Sequence, residues 1–257
     1  MMQKLKEQKK INSETCKIDC SSFVDLADSY TIEIFNETSL RNEPIKKVVI
    51  NDGTKHDYIF LLLGSYSYDF IQNRKIEIGD NASVNFYYCF LAEKSFTLNL
   101  EYNIRSNSKV THNIVYQTKG NQQSSVNEVF NYLGKNSEGQ FICEGVALDE
   151  ARVNYNSTIV VDKKTLKNKA DLNMKLHLLS KSSSGAVLPA LAIKSASAQI
   201  SHSAKIYNFT KENVDYLMTR GLNMHSANVL LKTGIFKVFI NKIKKYNLDV
   251  LNSFYAN

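Results

Sequence analysis

The chain has 257 residues, with 32 lysines and arginines against 25 aspartates and glutamates for a net charge of +7, and only 10 glycines and 2 prolines. A chain of this length buries a sizeable core in one large domain, so folding requires neither a disulfide framework nor a structural metal. Its longest fully apolar stretches, such as IFLLL at 59–63, fall far short of the roughly 20 residues of a membrane helix; the N-terminus has no apolar signal core, and a soluble, cytoplasmic protein is expected.

Residues 1–45 open with KLKEQKK at 4–10, a charge run of the kind that stays solvated at chain ends, and predict a partly disordered N-terminal segment. Cys16 and Cys20 are four residues apart and can share a helix face, but no second pair lies nearby to complete the four ligands of a zinc site. Together with Cys89 and Cys143 they read as reduced thiols.

From 46 to 209, short runs rich in Val, Ile, Tyr and Phe alternate with polar residues and are broken by pieces such as GDNA, RSNS and LDEA. This is a strand pattern, with turns made largely by Asn, Asp and Ser. A weak echo runs through it: Ala82-x-Val84-x-Phe86, Ser108-x-Val110-x-His112, Ala151-x-Val153-x-Tyr155, Ala170-x-Leu172-x-Met174 and Ala198-x-Ile200-x-His202, with Ser124-x-Val126-x-Glu128 as a poorer copy. A small residue at each turn, followed by alternating apolar positions, is what a stacked solenoid requires, because one coil cannot hide its apolar face alone. The same alternation also permits a β-sandwich. His112 and His202 hold the same place in the echo and would stack on one face. A strand histidine is usually structural; the functional alternative is a metal or metal-thiolate ligand, since neutral imidazole binds borderline metals near neutral pH.

Residues 210–257 change to helical spacing. Val214, Leu217 and Met218 fall on one face, then Leu222, Val229, Leu230 and Leu231, then Phe236, Phe239, Ile240 and Ile243. Thr210 and Asn223 are placed as N-caps, Gly221 and Gly234 as C-caps, which predicts three short helices with wide apolar stripes. Absent motifs narrow the chemistry. No G-x-x-x-x-G-K-[ST], G-x-S-x-G, H-E-x-x-H or glycine-rich dinucleotide turn occurs, so any nucleotide energy is expected to come from a partner.

Four separated pieces carry a resemblance. LLS at 178–180 with PALAI at 189–193, SH at 201–202, YLMTRG at 216–221 and ANVLLKTGIF at 227–236 resemble, in order and spacing, the C-terminal signature of the SufB/SufD family, scaffold proteins of the SUF iron-sulfur cluster machinery. The resemblance spans Leu178 to Phe236. It implies a mainly β fold, a right-handed parallel β-helix with a small C-terminal α-helical domain, and a non-catalytic scaffold subunit. By its place in the motif, His202, with Ser201 beside it, corresponds to the family's histidine near the SufB to SufD interface, implicated in cluster assembly and here a candidate metal ligand. The same resemblance assigns docking of a SufC-like ABC ATPase to the helical region, with Ala227, Leu230, Leu231 and Gly234 in contact and Tyr216, Arg220 and Gly221 bracing it.

Departures from the pattern make the chain SufD-like. Ser203, Ala204, Lys205, Ile206 and Tyr207 replace the glycine-containing turn that follows the family's histidine, and no cysteine follows Cys143. A SufB-like partner is therefore expected to supply thiolates, with a transient iron-sulfur cluster at the subunit interface, no permanently bound cofactor, and a homodimer as the alternative assembly. Two rivals come from other classes. A β-helical polysaccharide enzyme would need acidic pairs flanking the scissile bond, whereas the echoed strands carry mostly Asn, Ser and Thr. A nucleic-acid binder would use the +7 charge, KNK at 167–169 and NKIKK at 241–245, which fit no recognition motif; neither nucleic acid nor membrane is the expected partner.

Overall fold

The computed structural model describes residues 23–26, 29–35, 45–64, 69–208 and 211–246. Cys16, Cys20, the KLKEQKK run and Thr210 lie outside them. Strands come in pairs along the chain: β1 (Phe23–Leu26) and β2 (Ser29–Phe35), β3 (Lys46–Ile50) and β4 (Lys55–Gly64), β5 (Phe70–Ile78) and β6 (Ser83–Ala92), β7 (Phe96–Ile104) and β8 (Lys109–Thr118), β9 (Gln123–Tyr132) and β10 (Glu138–Ala147), β11 (Arg152–Val161) and β12 (Lys169–Leu178), β13 (Ser184–Ile193) and β14 (Gln199–Asn208). The odd strands form one seven-stranded sheet and the even strands another. Each strand pairs in parallel with the one two places on, at a register of 24 to 32 residues. The molecule is thus the mainly β parallel solenoid, with a small helical part at its C-terminus, that the sequence predicts.

One corner sets the register. Gly53, Asn81, Asn107, Asn136 and Lys167 all have positive φ, between 57° and 71°, a conformation that glycine and asparagine tolerate best. Each passes its N–H to the next coil: Gly53 to the Asp80 carbonyl, Asn81 to Ser106, Asn107 to Lys135 and Asn136 to Leu166. The residue that follows, Thr54, Ala82, Ser108, Ser137 or Asn168, is buried and accepts from the coil above through its carbonyl, ending with Gln199 N–H on Asn168. Ala82, Ser108 and Ala198 of the echo occupy this corner. Ala151 does not; it sits in the opposite corner between the N–H donors and acceptors of Gln122 and Ser184, and Ala170 falls two residues beyond Asn168. The echo therefore mixes two columns that share one alternation.

Inside, aromatic rings stack from coil to coil, with Tyr102 and Phe130 centroids 4.8 Å apart and Phe130 and Phe141 3.7 Å apart. The first two strands lie ahead of residue 46, where the sequence reading starts the solenoid. In β2 the alternation is inverted: Thr31 and Glu33 are buried, while Ile32 packs on the outer face. Glu33 meets Arg74 Nη2 at 2.7 Å and also pairs with Lys46, and Arg74 donates to the Tyr58 hydroxyl. The outer face of the odd sheet is knit by an asparagine ladder, Asn156 to Asn127 to Asn99 to Asn73, each step 2.8 Å.

Two helices and a 3-10 turn stand where the glycines predict three helices: α1 (Lys211–Thr219), α2 (Met224–Ile243) and the turn Lys244–Tyr246. Gly221, at φ 91°, ends α1 as expected, and Asn223 caps α2 by accepting from the Ser226 N–H at 2.8 Å. Gly234 is not a C-cap. It lies mid-helix, and α2 runs through it because Phe236, Phe239 and Ile243 lie against Ile59, Leu61, Cys89, Val115 and Val146 on the outer face of the even sheet. Burying each phenylalanine is worth ~1.5–3 kcal/mol, more than the ~1 kcal/mol that a helical glycine costs. The far end is tied down by Lys242 on Asn113 Oδ1 (2.8 Å) and by Asp57, which accepts from Lys245 (2.9 Å), Asn85 (2.7 Å) and the Tyr246 hydroxyl.

Two outcomes follow. Burial alone raises the Glu33 carboxyl, but the charges of Arg74 and Lys46 outweigh it and hold the group below its usual range. The stability it contributes is complete above the unfolded value near ~4.3 and is lost as pH falls through the depressed folded value. Glu33→Gln, which strands a buried guanidinium, should cost about 3–5 kcal/mol in urea unfolding at neutral pH; a loss within the scatter of surface substitutions would show that Arg74 is not held by this pair. Asp57→Ala removes charge-assisted hydrogen bonds worth ~1.5–3 kcal/mol each, so α2 should lift more often and modification of Cys89, buried beneath it, should accelerate at least about tenfold by peptide mapping.

Candidate functional site at the open end of the solenoid

The stack ends at β13 and β14, which pair only with β11 and β12. Among the described residues each leaves one hydrogen-bonding edge open, and the inward positions have no coil above them. Leu191, Ile193 and Ile206, which would be core one coil earlier, are exposed, Ile206 at 46%. An unpaired edge beside bare apolar side chains is a template for another chain. Pro189 is compatible with that position because an edge strand tolerates a missing donor.

His202 stands in this mouth. Its register partner is Leu172, and the column runs back through Phe141 and His112 to Phe86, so the imidazole occupies an inward-column position that the last coil leaves exposed. No hydrogen-bond partner of His202 is found among the described residues. Ser201, its neighbour in sequence, is on the other face of β14, as the two-residue period of a strand requires, and donates to Asp171 Oδ1 at 2.7 Å. The two residues singled out together are thus separated by the sheet. Beside Ser201's partner runs an open groove of about 500 Å³ lined by Thr111, Glu138, Gln140, Asp171 and Gln199 among others. His177 ties the edge to the body: it stacks on Tyr207 at 4.8 Å and meets Glu144 at 3.3 Å.

Neither described cysteine reaches the mouth as a ligand. Cys89 is beneath α2 and Cys143 is inside the column, beside the hydroxyls of Tyr155 and Tyr116. Burial pushes both thiols up, which leaves them neutral and unreactive. Among the described residues no three His, Cys, Asp or Glu side chains converge as a metal site, so His202 is the metal-type donor that the mouth itself presents.

A buried polar string escapes the sequence reading. Tyr102 donates to the Tyr88 hydroxyl (3.2 Å) and lies 3.1 Å from His112 Nδ1. His112 Nε2 is 2.6 Å from Glu128 Oε1, off the line of a straight hydrogen bond, and Tyr155 donates to the other Glu128 oxygen. The signal was present: Glu128 holds an inward place in the poorest copy of the echo, and a carboxylate there must find partners in the core.

The helical candidates divide by exposure. Tyr216 and Leu230 are 58% and 52% exposed, and Arg220 lies over the Tyr216 ring at 5.3 Å while donating to its hydroxyl at 3.3 Å. Gly221 and Gly234 are also at the surface, Leu231 is half-buried, and Ala227 is fully buried within the chain. No helix among the described residues is long and apolar enough to cross a membrane.

Comparison with known proteins follows this geometry. The SUF system FeS cluster assembly SufBD core domain matches residues 8–235. An iron-sulfur cluster assembly protein SufD of Plasmodium falciparum is 24% identical over 177 residues, 68% of this chain and 12% of that protein. An iron-sulfur cluster assembly SufBD family protein of Pyrococcus horikoshii is 26% identical over 170 residues, 66% of this chain and 38% of the other, and one of Porphyra purpurea 18% identical over 112 residues, 44% and 23%. The chain thus spans 12% to 38% of the length of these curated relatives. With the core domain matched across most of its residues, the chain belongs to the SufBD family of iron-sulfur cluster assembly proteins.

Proposed function

We propose that the chain is a SufD-like, non-catalytic scaffold subunit, whose open coil pairs with a SufB-like chain and whose helices dock a SufC-like ABC ATPase. The observation that carries the first part is the place of His202, an imidazole without an internal partner in the column of inward positions, on a strand whose outer edge is unpaired. An incoming strand on β14 would lay its own side chains over His202 and would desolvate it. Neutral imidazole then acts as a borderline donor to an iron, or positions sulfur or iron on the way to a nascent cluster, which is cargo rather than a resident cofactor. Thiolates come from the partner, because Cys89 and Cys143 are neutral and enclosed. Leu230, Leu231, Gly234, Tyr216, Arg220 and Gly221 form the ATPase contact; Ala227, being buried, supports it from behind.

Replacement of His202 by alanine removes an exposed side chain that nothing inside the chain holds, so circular dichroism and the unfolding midpoint should be unchanged. Cluster formation in the reconstituted complex, followed by visible absorbance, should fall at least about tenfold, the lower end of what losing a metal-site partner costs. Unchanged assembly would remove His202 from the mechanism.

A further inference from the structure

Between Tyr216 and Tyr246 the chain carries six cations, Arg220, Lys232, Lys237, Lys242, Lys244 and Lys245, and no acidic residue. Of these, only Lys245 has a carboxylate partner among the described residues, at Asp57. Lys242 rests on the neutral Asn113 and Arg220 on Tyr216. Lys232 is 4% exposed with no partner of either kind among the described residues, and burial together with the nearby Lys119 charge lowers its pKa. A segment so unbalanced, on a net charge of only +7, holds a positive field that, among the described residues, carboxylates offset only at Lys245.

The exposed residues Leu230, Gly234, Lys237, Val238, Asn241 and Lys244 follow helical spacing and share one face of α2, opposite the Phe236, Phe239 and Ile243 stripe that lies on the sheet. In the middle of that face is Gly234, where an added Cβ would meet nothing within 4 Å. Neither packing nor backbone conformation inside the chain requires a glycine there, although it weakens the helix. A glycine without an internal reason on an exposed face fits close approach from outside.

We propose that this face receives a protein surface that is acidic around an apolar projection, the projection settling over Gly234 between Leu230 and Val238 while carboxylates meet Lys237 and Lys244. The inference rests on the docking reading above and states the chemistry of the docked surface. A bilayer fits less well, because a helix lying in a membrane interface spends its apolar stripe on lipid, and α2 has spent its own on the sheet. Nucleic acid fits less well because Leu230 and Val238 would be desolvated without a base to stack on.

The test uses the full chain and a purified SufC-type ATPase from the same source. Affinity should fall at least about tenfold between low and roughly 0.5 M salt, where the screening length is only a few ångströms. The double reversal Lys237→Glu with Lys244→Glu should weaken binding at low salt about as much and flatten the salt dependence. Gly234→Leu should abolish binding while leaving the melting temperature unchanged or a few degrees higher. Binding that ignores both salt and the reversals, yet is lost in Leu230→Asp, would overturn the acidic surface and leave the docking reading standing. No binding by the unaltered chain at any salt would overturn both. Capture of phosphatidylglycerol vesicles or of duplex DNA, lost in the double reversal while ATPase binding is not, would overturn the inference in favour of those ligands.

Discussion

A parallel coil has no core of its own. Each inward side chain is enclosed only when the next coil is laid over it, so stability in this molecule is a property of neighbours rather than of single turns. The left-handed corner at Gly53, Asn81, Asn107, Asn136 and Lys167 makes that possible, because the first four N–H groups are answered by a carbonyl one coil further on and that of Lys167 by the Ser197 hydroxyl. Coil length between these corners varies between 26 and 31 residues, yet the column of small buried residues behind the corner stays in line. Both turns absorb the variation, most of all the one ahead of β12 at residues 162–168, and the opposite turn has positive φ of its own at Gly120 and Asp149.

The same dependence makes the end of the stack different from its middle. Leu172 is buried because β14 covers it, and His202 is exposed because no strand among the described residues covers β14. A residue's burial is therefore decided by its ordinal coil, not by its type: His112 and His202 share one column, and the first is enclosed with Tyr102 and Glu128 while the second faces outward from the mouth. A partner that continued the stack would convert His202 into the environment of His112. That conversion, a solvated imidazole becoming a desolvated one, is the largest change in donor character that simple strand addition brings about here.

What the sequence makes legible follows from the same geometry. Alternation is a local property, so strands such as 82–86 and 108–112 can be read directly, as can the shared column of the two histidines. Which sheet a strand joins is not local, and Ala151, in the opposite corner, carries the same pattern as Ala82. Inverted strands are harder still: β2 places Thr31 and Glu33 inside and Ile32 outside, because a helix from the far end of the chain supplies the second apolar layer. The pairing of Ser201 with His202 into one site fails on the two-residue period alone, since one faces Asp171 outside and the other the column. Gly234 shows the reverse case, where a strong local stop signal yields to burial of Phe236 and Phe239 two to five residues later.

The helices complete this logic on the outer surface. A β-sheet whose inner face fills the column still needs its outer face resolved, and the two sheets do so differently. The odd sheet satisfies polar groups against one another through the ladder from Asn73 to Asn156, and its outer apolar side chains Ile71 and Leu188 stay exposed. The even sheet bears Ile59, Leu61, Tyr87, Cys89 and Val115, and only a covering element can hide them. Having α2 do so fixes its orientation, so that Lys237 and Asn241 face outward while Lys232 is enclosed and Lys242 reaches Asn113 of the sheet. The concentration of unpaired lysines there is then a consequence of the sheet beneath as much as of the helix itself. An outer surface that is apolar enough to require a helix thus places the molecule's lysine-rich segment over the even sheet, its last turn bound to β8 through Asn113 and to β4 through Asp57.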